Sequence, residues 1–500
     1  MYRAISQLYL NPKARVILEG HATKYFDCPI GVKQGCCLSP TLFSIFINDL
    51  VLEIKNTNIG VNLLNDNNLQ IPGLSPDLLI NILLYADDIV LLAENEHDLQ
   101  ELLFVIEKWC KKWRLEVNLT KTNILHIRNK RSPQSKFTFF FNMRPVLYCH
   151  SYKYLGSHIN EFLDYKFTVD KHSESASRAL GSVIGKMIKA GGFPYKLFSM
   201  LYNACVTTVA DYSGAITGFG NYDSALQLHL RAIRSYLGLP KNSTNAGVLS
   251  EVDLLLPKFR TYISMIRQYH RILNMNNNRL TKHIFFWDIF MNETYDLNTW
   301  SSEVYDIFKM CNLSTIFETK QIFYLKDVTS QIEMCLYQKP IEYLKTECQS
   351  KPKLRTFLLF KDFNITPSYI TQTLNFTQRR QIAKLRLGCL PLQIELGRYL
   401  IPKQPENQRF CKICSNSNLN ENNLNENSLI ESEYHFLFVC RAYNFERQNL
   451  LSKLILPTNF INLPNNVKLS IVLNDPQNVK LTSQYIINLL NIRNRLLVEF

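Results

Sequence analysis

Two adjacent aspartates, Asp87 and Asp88, interrupt the apolar run Leu83-Leu-Tyr-Ala-Asp-Asp-Ile-Val-Leu-Leu-Ala93. An ionised carboxylate is costly in an apolar medium unless it is paired, protonated or bound to a metal. The flanks have the length and character of two short buried strands, with the polar pair marking the turn between them. The expectation is a β-hairpin that carries two candidate metal ligands at its tip.

The chain has 500 residues, enough for about three domain-sized units. Its 56 Lys and Arg against 42 Asp and Glu leave a net charge of +14, which favours a polyanionic partner, nucleic acid or an acidic membrane surface. On charge alone, a solvated surface with no such partner stays open. The apolar stretches are too short to span a bilayer or are broken by Asn81 and the Asp pair, so no transmembrane segment is expected. The first residues, Met-Tyr-Arg-Ala-Ile-Ser-Gln-Leu, read as an amphipathic helix and not as a secretory signal. The 13 cysteines are odd in number and mostly scattered in apolar contexts, which suits reduced thiols. The expected location is intracellular, in the nucleus or cytoplasm, and not secreted.

Along the chain, residues 1–10 read as a helix end and 22–30 as a strand entering the loop Gly31-Val-Lys-Gln-Gly35. Ser39 and Pro40 predict a helix start, Ser as N-cap and Pro at the first helical position, with an apolar stripe over 40–55. Residues 56–76 read as a surface loop. Asn95, with Asp98 three places on, predicts the cap of a second helix. Strand character returns at 114–127, and further β segments flank Asn142. From about residue 165 helical spacing dominates, at 171–190, 195–210, 223–237 and 256–274. The stretch 275–375 shows no clear pattern. A basic helix at 377–388 leads into a Cys/His-containing segment whose 415–428 portion is rich in Asn, Ser and Glu. The last twenty residues read as one more amphipathic helix.

Four motifs in order carry a family resemblance. Gly31-Val-Lys-Gln-Gly-Cys-Cys-Leu-Ser-Pro-Thr-Leu-Phe43 resembles motif B of the reverse transcriptases of non-LTR (LINE-type) retrotransposons. Tyr85-Ala-Asp-Asp88 resembles their motif C, Leu115-Glu-Val-Asn118 with Lys121-Thr122 their motif D, and Tyr154-Leu-Gly156 their motif E. A lone Tyr-x-Asp-Asp is weak; the ordered set is specific. The resemblance implies an α+β fold: a partial polymerase palm of antiparallel sheet and helices over 1–160, then a mainly helical thumb over 161–275. A helical connecting region over 276–375 follows, then the basic helix with a zinc module over 376–460 and a C-terminal helix over 461–500. It also implies RNA-directed DNA synthesis, with an RNA template, a DNA primer and nucleoside triphosphates as partners.

The implied chemistry suits the residue types. Two Mg²⁺ ions about 4 Å apart stabilise the attacking and leaving oxygens of nucleotidyl transfer, and Mg²⁺ prefers hard carboxylate oxygens. The resemblance gives Asp87 and Asp88 to that site. It gives Lys121 the role of general acid toward pyrophosphate, and it places Gly31, Gln34, Gly35 and Tyr85 around template and nucleotide. Tyr154 and Gly156 would grip the primer end. Such palms need a further carboxylate from motif A, which in the family precedes a helix like residues 1–10. Asp27 lies only four residues before Gly31, on the strand leading into motif B, so it is not that ligand. The expectation is a chain with little or no polymerase activity by itself. The alternative is a non-catalytic module that binds nucleic acid or assembles with other polymerase chains.

Near the C-terminus, Cys411, Cys414, His435 and Cys440 form the pattern C-x2-C-x20-H-x4-C. Two close pairs of soft or borderline ligands suit a structural tetrahedral Zn²⁺, and the long insert can loop out because loop entropy grows slowly with length. Arg386-Leu-Gly388, Glu395-Leu-Gly-Arg398 and Glu433-Tyr-His435 resemble the segment that precedes and forms the Cys/His finger of the same family. Group II intron maturases and telomerases share the palm, but this module favours the LINE type. Arg379, Arg380, Lys384, Arg386, Arg398 and Arg409 make its approach basic, open to reading as phosphate contacts or as a solvated helix face. The helices of 165–274 carry Arg178, Lys186, Lys189, Arg231 and Arg234; the resemblance implies that they form the thumb and following region and track the template–primer backbone.

Overall fold

The computed structural model describes residues 2–63, 78–220, 222–416 and 429–498. Most of the surface loop expected at 56–76 and of the Asn-rich insert at 415–428 lies outside these residues. Helices dominate, and the named strands pair only two at a time and antiparallel. Among the described residues no helix is long and apolar enough to cross a membrane. The chain divides into two compact units, Met1–Tyr152 with Asn277–Met291, and Lys153–Asn276 with Asn292–Phe500.

The core of the first unit lies between the helices Ser39–Lys55 and Glu96–Trp113, which contribute buried Ile47, Leu50 and Ile54, and Leu102, Leu103, Ile106 and Trp109. The Asn95 cap forms as its residue type predicts, accepting the Asp98 N–H at 2.9 Å and satisfying a donor that the first helical turn leaves orphaned. Ser39 departs from expectation. It is the first helical residue, and its hydroxyl donates to the Lys33 carbonyl at 2.6 Å instead of capping the helix. That bond fastens the Gly31–Gly35 loop to the helix that follows it.

The Asp-pair hairpin forms from Ile82–Tyr85 and Asp88–Leu91, in the register Tyr85↔Asp88, Leu84↔Ile89, Leu83↔Val90 and Ile82↔Leu91. Strand side chains alternate faces, so the opposed pairs Leu84–Ile89 and Ile82–Leu91 share one face, and these four pack on the core. A second hairpin, Phe139–Phe141 with Arg144–Val146, turns at Asn142 and Met143, both at positive φ (48° and 58°). Its strand is held to the long helix by the Gln100 amide, which donates to the Phe140 carbonyl and accepts its N–H at 2.9 and 2.8 Å.

The antiparallel strands expected beside helices form, as separate two-stranded pairs among the described residues. One expectation is corrected here. Residues 114–127 do not form a strand. They run as irregular chain and a turn with one parallel bridge, Ile124↔Tyr148. Asn118 organises the turn: its side chain accepts the Thr120 N–H at 3.0 Å and its carbonyl accepts those of Lys121 and Thr122 at 3.1 Å. Such local Asx bonding competes with a sheet ladder.

The second unit is helical. Its long elements are Tyr165–Lys189, Asp223–Leu237, Pro257–Leu273, Leu325–Gln349, Phe376–Arg386 and Val479–Val498. Segments separated in the sequence reading at 161–275, 276–375, 376–460 and 461–500 share one hydrophobic core, from Ala176 and Leu180 through Phe357 and Leu385 to Phe436 and Leu489. The unpatterned 275–375 stretch proves helical too. Its helix Leu280–Tyr295 is apolar on several faces, and Leu325–Gln349 carries Pro340 in its interior, so neither shows a clean amphipathic stripe. Trp287 donates to the Leu63 carbonyl at 3.0 Å and clusters with Leu78, Leu280 and Phe290, so 277–291 belongs with the first unit.

Candidate active site and candidate metal centre

In the first unit the two-residue turn Ala86-Asp87 joins the strands, with Ala86 at φ 53°. Asp87 and Asp88 are exposed, and so is Tyr85, opposite Asp88. The premise of burial is therefore corrected. The turn projects both carboxylates past the half-buried strands, and Asp88 lies on the face opposite the one seated on the core. Their desolvation cost is small in this state, and their oxygens are open to a cation.

Gly31 and Gly35 adopt φ of 91° and 80°, and a Cβ at either would meet nothing within 4 Å. Glycine is needed there for backbone conformation, not for space. Gln34 is exposed between them. Lys121 is exposed as well, and its carbonyl accepts the Tyr152 hydroxyl at 3.1 Å. That bond fixes the Asn118 turn. Asp27 pairs with Lys13 on a short exposed ribbon.

Tyr154 and Gly156 belong to the second unit. They flank the turn between strands Ser151–Tyr154 and Ser157–Asn160, where Leu155 and Gly156 have φ of 46° and 88°. A Cβ on Gly156 would lie 2.9 Å from Tyr212 Cε1, and the Tyr212 hydroxyl donates to the Leu155 carbonyl at 2.8 Å. Tyr212 was not anticipated from the sequence. Gly156→Ala is expected to destabilise the unit by about 1–2 kcal/mol from the left-handed backbone alone, and further from the clash. Thermal denaturation measures it, and with Tyr212→Ala as the reference, which already lacks the Tyr212 hydroxyl bond, Gly156→Ala should show only the backbone part.

Cys411, Cys414, His435 and Cys440 converge, with all four candidate ligand atoms within 4.8 Å of one another. Cys414 Sγ lies 3.6 Å from Cys440 Sγ and 3.6 Å from His435 Nε2. Zinc bonds of about 2.3 Å to sulfur and 2.0–2.1 Å to nitrogen imply tetrahedral edges of about 3.5–3.8 Å, so these spacings fit Zn²⁺. They are too long for a disulfide, and none of the three cysteines is disulfide-bonded. Contacts with Cys411 and then Cys440 lower the Cys414 thiol, whereas contacts with Cys411 and Cys414, together with burial, raise that of Cys440. The bridge Phe410↔Ile430, with the Cys411 N–H on the Leu429 carbonyl at 2.8 Å, closes the base of the insert.

The cluster is set into the core. Cys411, Phe436, Leu437 and Cys440 are buried. Glu431 takes Arg493 Nε and Nη2 at 2.7 and 2.9 Å and the Gln393 N–H at 2.7 Å. Glu433 takes Arg355 Nη2 at 3.0 Å and the Thr356 hydroxyl at 2.7 Å. The sequence marks Glu433 only through the family resemblance, and nothing in it pairs Glu431 with Arg493, 62 residues away.

The basic approach is corrected. Arg379, Arg386 and Arg409 are buried: Arg379 donates to the Tyr236 and Phe193 carbonyls, Arg386 pairs with Glu251, and Arg409 binds the Ile394 and Gln404 carbonyls. They are neither phosphate contacts nor a solvated face. Buried backbone carbonyls and one buried acid need donors, and Arg provides several from one planar group. Arg380 remains exposed. Arg178, Lys186, Lys189 and Arg231 are exposed on the second unit's helices, whereas Arg234 is tied to Ser243 and Asn245.

Residues 2–159 match the family described as reverse transcriptase (RNA-dependent DNA polymerase). The chain is 23% identical over 300 residues to the RNA-directed DNA polymerase from mobile element jockey of Drosophila melanogaster, covering 56% of this chain and 30% of that protein. The Drosophila funebris protein of the same name is 25% identical over 298 residues, covering 57% and 30%. The retrovirus-related Pol polyprotein from type-1 retrotransposable element R2 of Popillia japonica is 25% identical over 158 residues, covering 30% and 24%. The chain thus spans about 30% of the length of the jockey relatives.

Proposed function

We propose that this chain, which carries a reverse transcriptase-family region over residues 2–159, is part of a non-LTR retrotransposon RNA-directed DNA polymerase. Asp87 and Asp88 would hold Mg²⁺ at the hairpin tip. The bound ions would polarise the α-phosphate and stabilise the attacking and leaving oxygens. The Gly31–Gly35 loop with Gln34 and Tyr85 shapes the template and nucleotide side. Lys121 Nζ delivers a proton to the leaving pyrophosphate. Tyr154 and Gly156 steady the primer end, and the exposed cations of the second unit follow the nucleic-acid backbone. Cys411, Cys414, His435 and Cys440 hold one structural Zn²⁺.

The observation that carries the catalytic part of this reading is the hairpin itself: adjacent carboxylates displayed at a tight turn whose opposite face is anchored in a core. Among the described residues the only group of three or more metal-capable side chains is the Cys/His cluster, so no third carboxylate closes on Asp87 and Asp88. Two carboxylates are a thin clamp for two ions, and the chain alone should extend primers poorly.

Purified full chain and an RNA template–DNA primer hybrid provide the test. Binding should fall steeply between about 50 and 200 mM salt, with little Mg²⁺-dependent extension. Asp87→Asn with Asp88→Asn should leave binding unchanged and remove residual extension. Robust extension abolished by that variant would overturn the incomplete-site proposal. Failure to bind the hybrid would overturn the reading as a whole.

A further inference from the structure

The segment Gly397–Gln404 forms a closed loop on the second unit. The Gln404 N–H donates to the Gly397 carbonyl at 3.0 Å. Beneath it runs the buried Arg409, whose Nε and Nη2 reach the Gln404 carbonyl at 3.0 and 2.7 Å and whose Nη1 reaches the Ile394 carbonyl at 2.7 Å. A Cβ on Gly397 would lie 2.8 Å from the Arg409 Cγ and Cδ, so glycine there lets the arginine pass. The base is rigid, yet the tip is apolar and in solvent: Tyr399 is 59%, Leu400 52% and Ile401 100% exposed. The Tyr399 ring is aimed, not loose. Its hydroxyl donates to Glu395 Oε1 at 3.0 Å and accepts from Asn242 Nδ2 at 3.3 Å.

Cations lie on the segments that adjoin this tip. Lys403 follows it, Lys241 adjoins Asn242, and Arg380 packs its stem over Gly238 at the start of the same 238–243 loop. All three are exposed and form no ion pair with the described residues. The acids of the neighbourhood are engaged, Glu395 by Lys353 at 2.7 Å and Arg398 at 3.1 Å, and Glu406 by Arg355 at 3.9 Å. A positioned aromatic ring beside aliphatic side chains and free cations has the makings of a stacking platform for bases with an adjacent track for phosphates.

We infer that the Tyr399–Ile401 tip, with Lys241, Arg380 and Lys403, is a binding surface for single-stranded nucleic acid. The inference rests on the nucleic-acid reading of the chain and adds to it a strand-state preference and a location. A duplex keeps its base faces stacked internally and offers an apolar tip only phosphates. A single strand offers open base faces that Tyr399 and Ile401 can cover, and the fixed ring loses little freedom on stacking. The unpaired cations among the described residues, beside acids Glu395 and Glu406 that are already paired, argue for a polyanion over an apolar protein partner.

The test is fluorescence anisotropy of the full chain with an unstructured labelled RNA of about 16 nucleotides, beside the matched duplex. Tyr399→Ala with Ile401→Ser should weaken single-strand binding about 10-fold and leave duplex binding little changed. Tyr399→Phe keeps the ring and should retain affinity, which separates stacking from any structural loss of the hydroxyl bonds. Lys241→Glu with Lys403→Glu should flatten the salt dependence. Unchanged single-strand affinity in the Ala/Ser variant, equal weakening for both forms, or equal loss in Tyr399→Phe would overturn the inference. If the wild-type chain binds the template–primer hybrid while the Ala/Ser variant behaves like wild type on the single strand, this surface is excluded and the polymerase reading stands. Wild-type chain that binds neither overturns both.

Discussion

Cys411→Ser with Cys414→Ser is expected to remove about one zinc ion per chain and to unfold much of the second unit. Structural zinc contributes about 10–16 kcal/mol of apparent binding free energy in small finger peptides, comparable to the whole stability of an ordinary domain at about 5–15 kcal/mol. Even a fraction of that matters here, because the candidate ligands lie inside the core. Cys411 and Cys440 are buried beside Phe436 and Leu437. The Leu437 carbonyl takes the Tyr485 hydroxyl at 2.8 Å, and the Cys440 carbonyl takes Arg447 Nη2 at 2.6 Å. Loss of the metal would leave thiolates crowded without a counter-charge and loosen the 435–440 turn from the helix Val479–Val498. Zinc analysis, thermal melting and limited proteolysis with and without a chelator measure the effect. Correctly folded protein without zinc, or a melting curve indifferent to the double substitution, would refute the metal assignment.

The second large effect is expected at Glu251. This carboxylate is fully buried and receives Arg386 Nε and Nη2 at 2.7 and 3.0 Å, with the Tyr369 hydroxyl also donating to it and Lys361 Nζ at 4.0 Å. Arg386 also donates to Asn474 Oδ1 at 2.6 Å and lies 4.8 Å from the Phe360 ring centre. One acid thus ties together segments near 250, 360, 369, 386 and 474. Glu251→Gln leaves Arg386 buried without its counter-charge and should cost about 3–5 kcal/mol. Replacing both partners by Leu should cost less, because the desolvation of both charges is removed with the pair. Urea denaturation of Glu251→Gln, Arg386→Leu and the double Leu variant measures the coupling. Equal loss in Glu251→Gln and the double variant would show that the pair contributes only shape.

This network has a defined pH response. Burial raises the Glu251 carboxyl, but the Arg386 and Lys361 charges and the Arg386 and Tyr369 hydrogen bonds outweigh it and hold it below the usual carboxylate value. Its contribution is present above the unfolded value of 4.5 and is lost as pH falls through the lower folded value. Lys361 acts in the opposite sense. Burial pulls it down to about 8 from the ordinary lysine value of 10.5, with the Glu251 charge only partly offsetting the shift. Holding it charged costs stability below about 8, and that cost is relieved as pH rises toward 10.5.

Local chemistry was legible in the chain. The Asp87–Asp88 turn, the Asn95 cap, the helices beyond residue 165 and the spacing of Cys411, Cys414, His435 and Cys440 follow from short-range rules: side-chain period, cap preference and ligand geometry. The glycines of the motif B loop were visible as well, and the backbone supplies their reason, positive φ at Gly31 and Gly35. Where a competing local bond won, the reading failed. Asn118 folds its own segment into a turn, and Ser39 spends its hydroxyl on Lys33.

Tertiary structure alone decided which charges are inside. Arg379, Arg380 and Arg386 share one basic helix, yet two are buried and one is exposed, because burial depends on what packs against each face. The partners that make burial tolerable, Glu251 for Arg386 and Glu431 for Arg493, stand 135 and 62 residues away. The Asp pair was the converse case, costly on the assumption of burial and exposed in the fold. Residue type states what a charge costs once it is dry. Only the packed chain states which charges are dry, because desolvation is a property of the neighbours that three-dimensional contact brings.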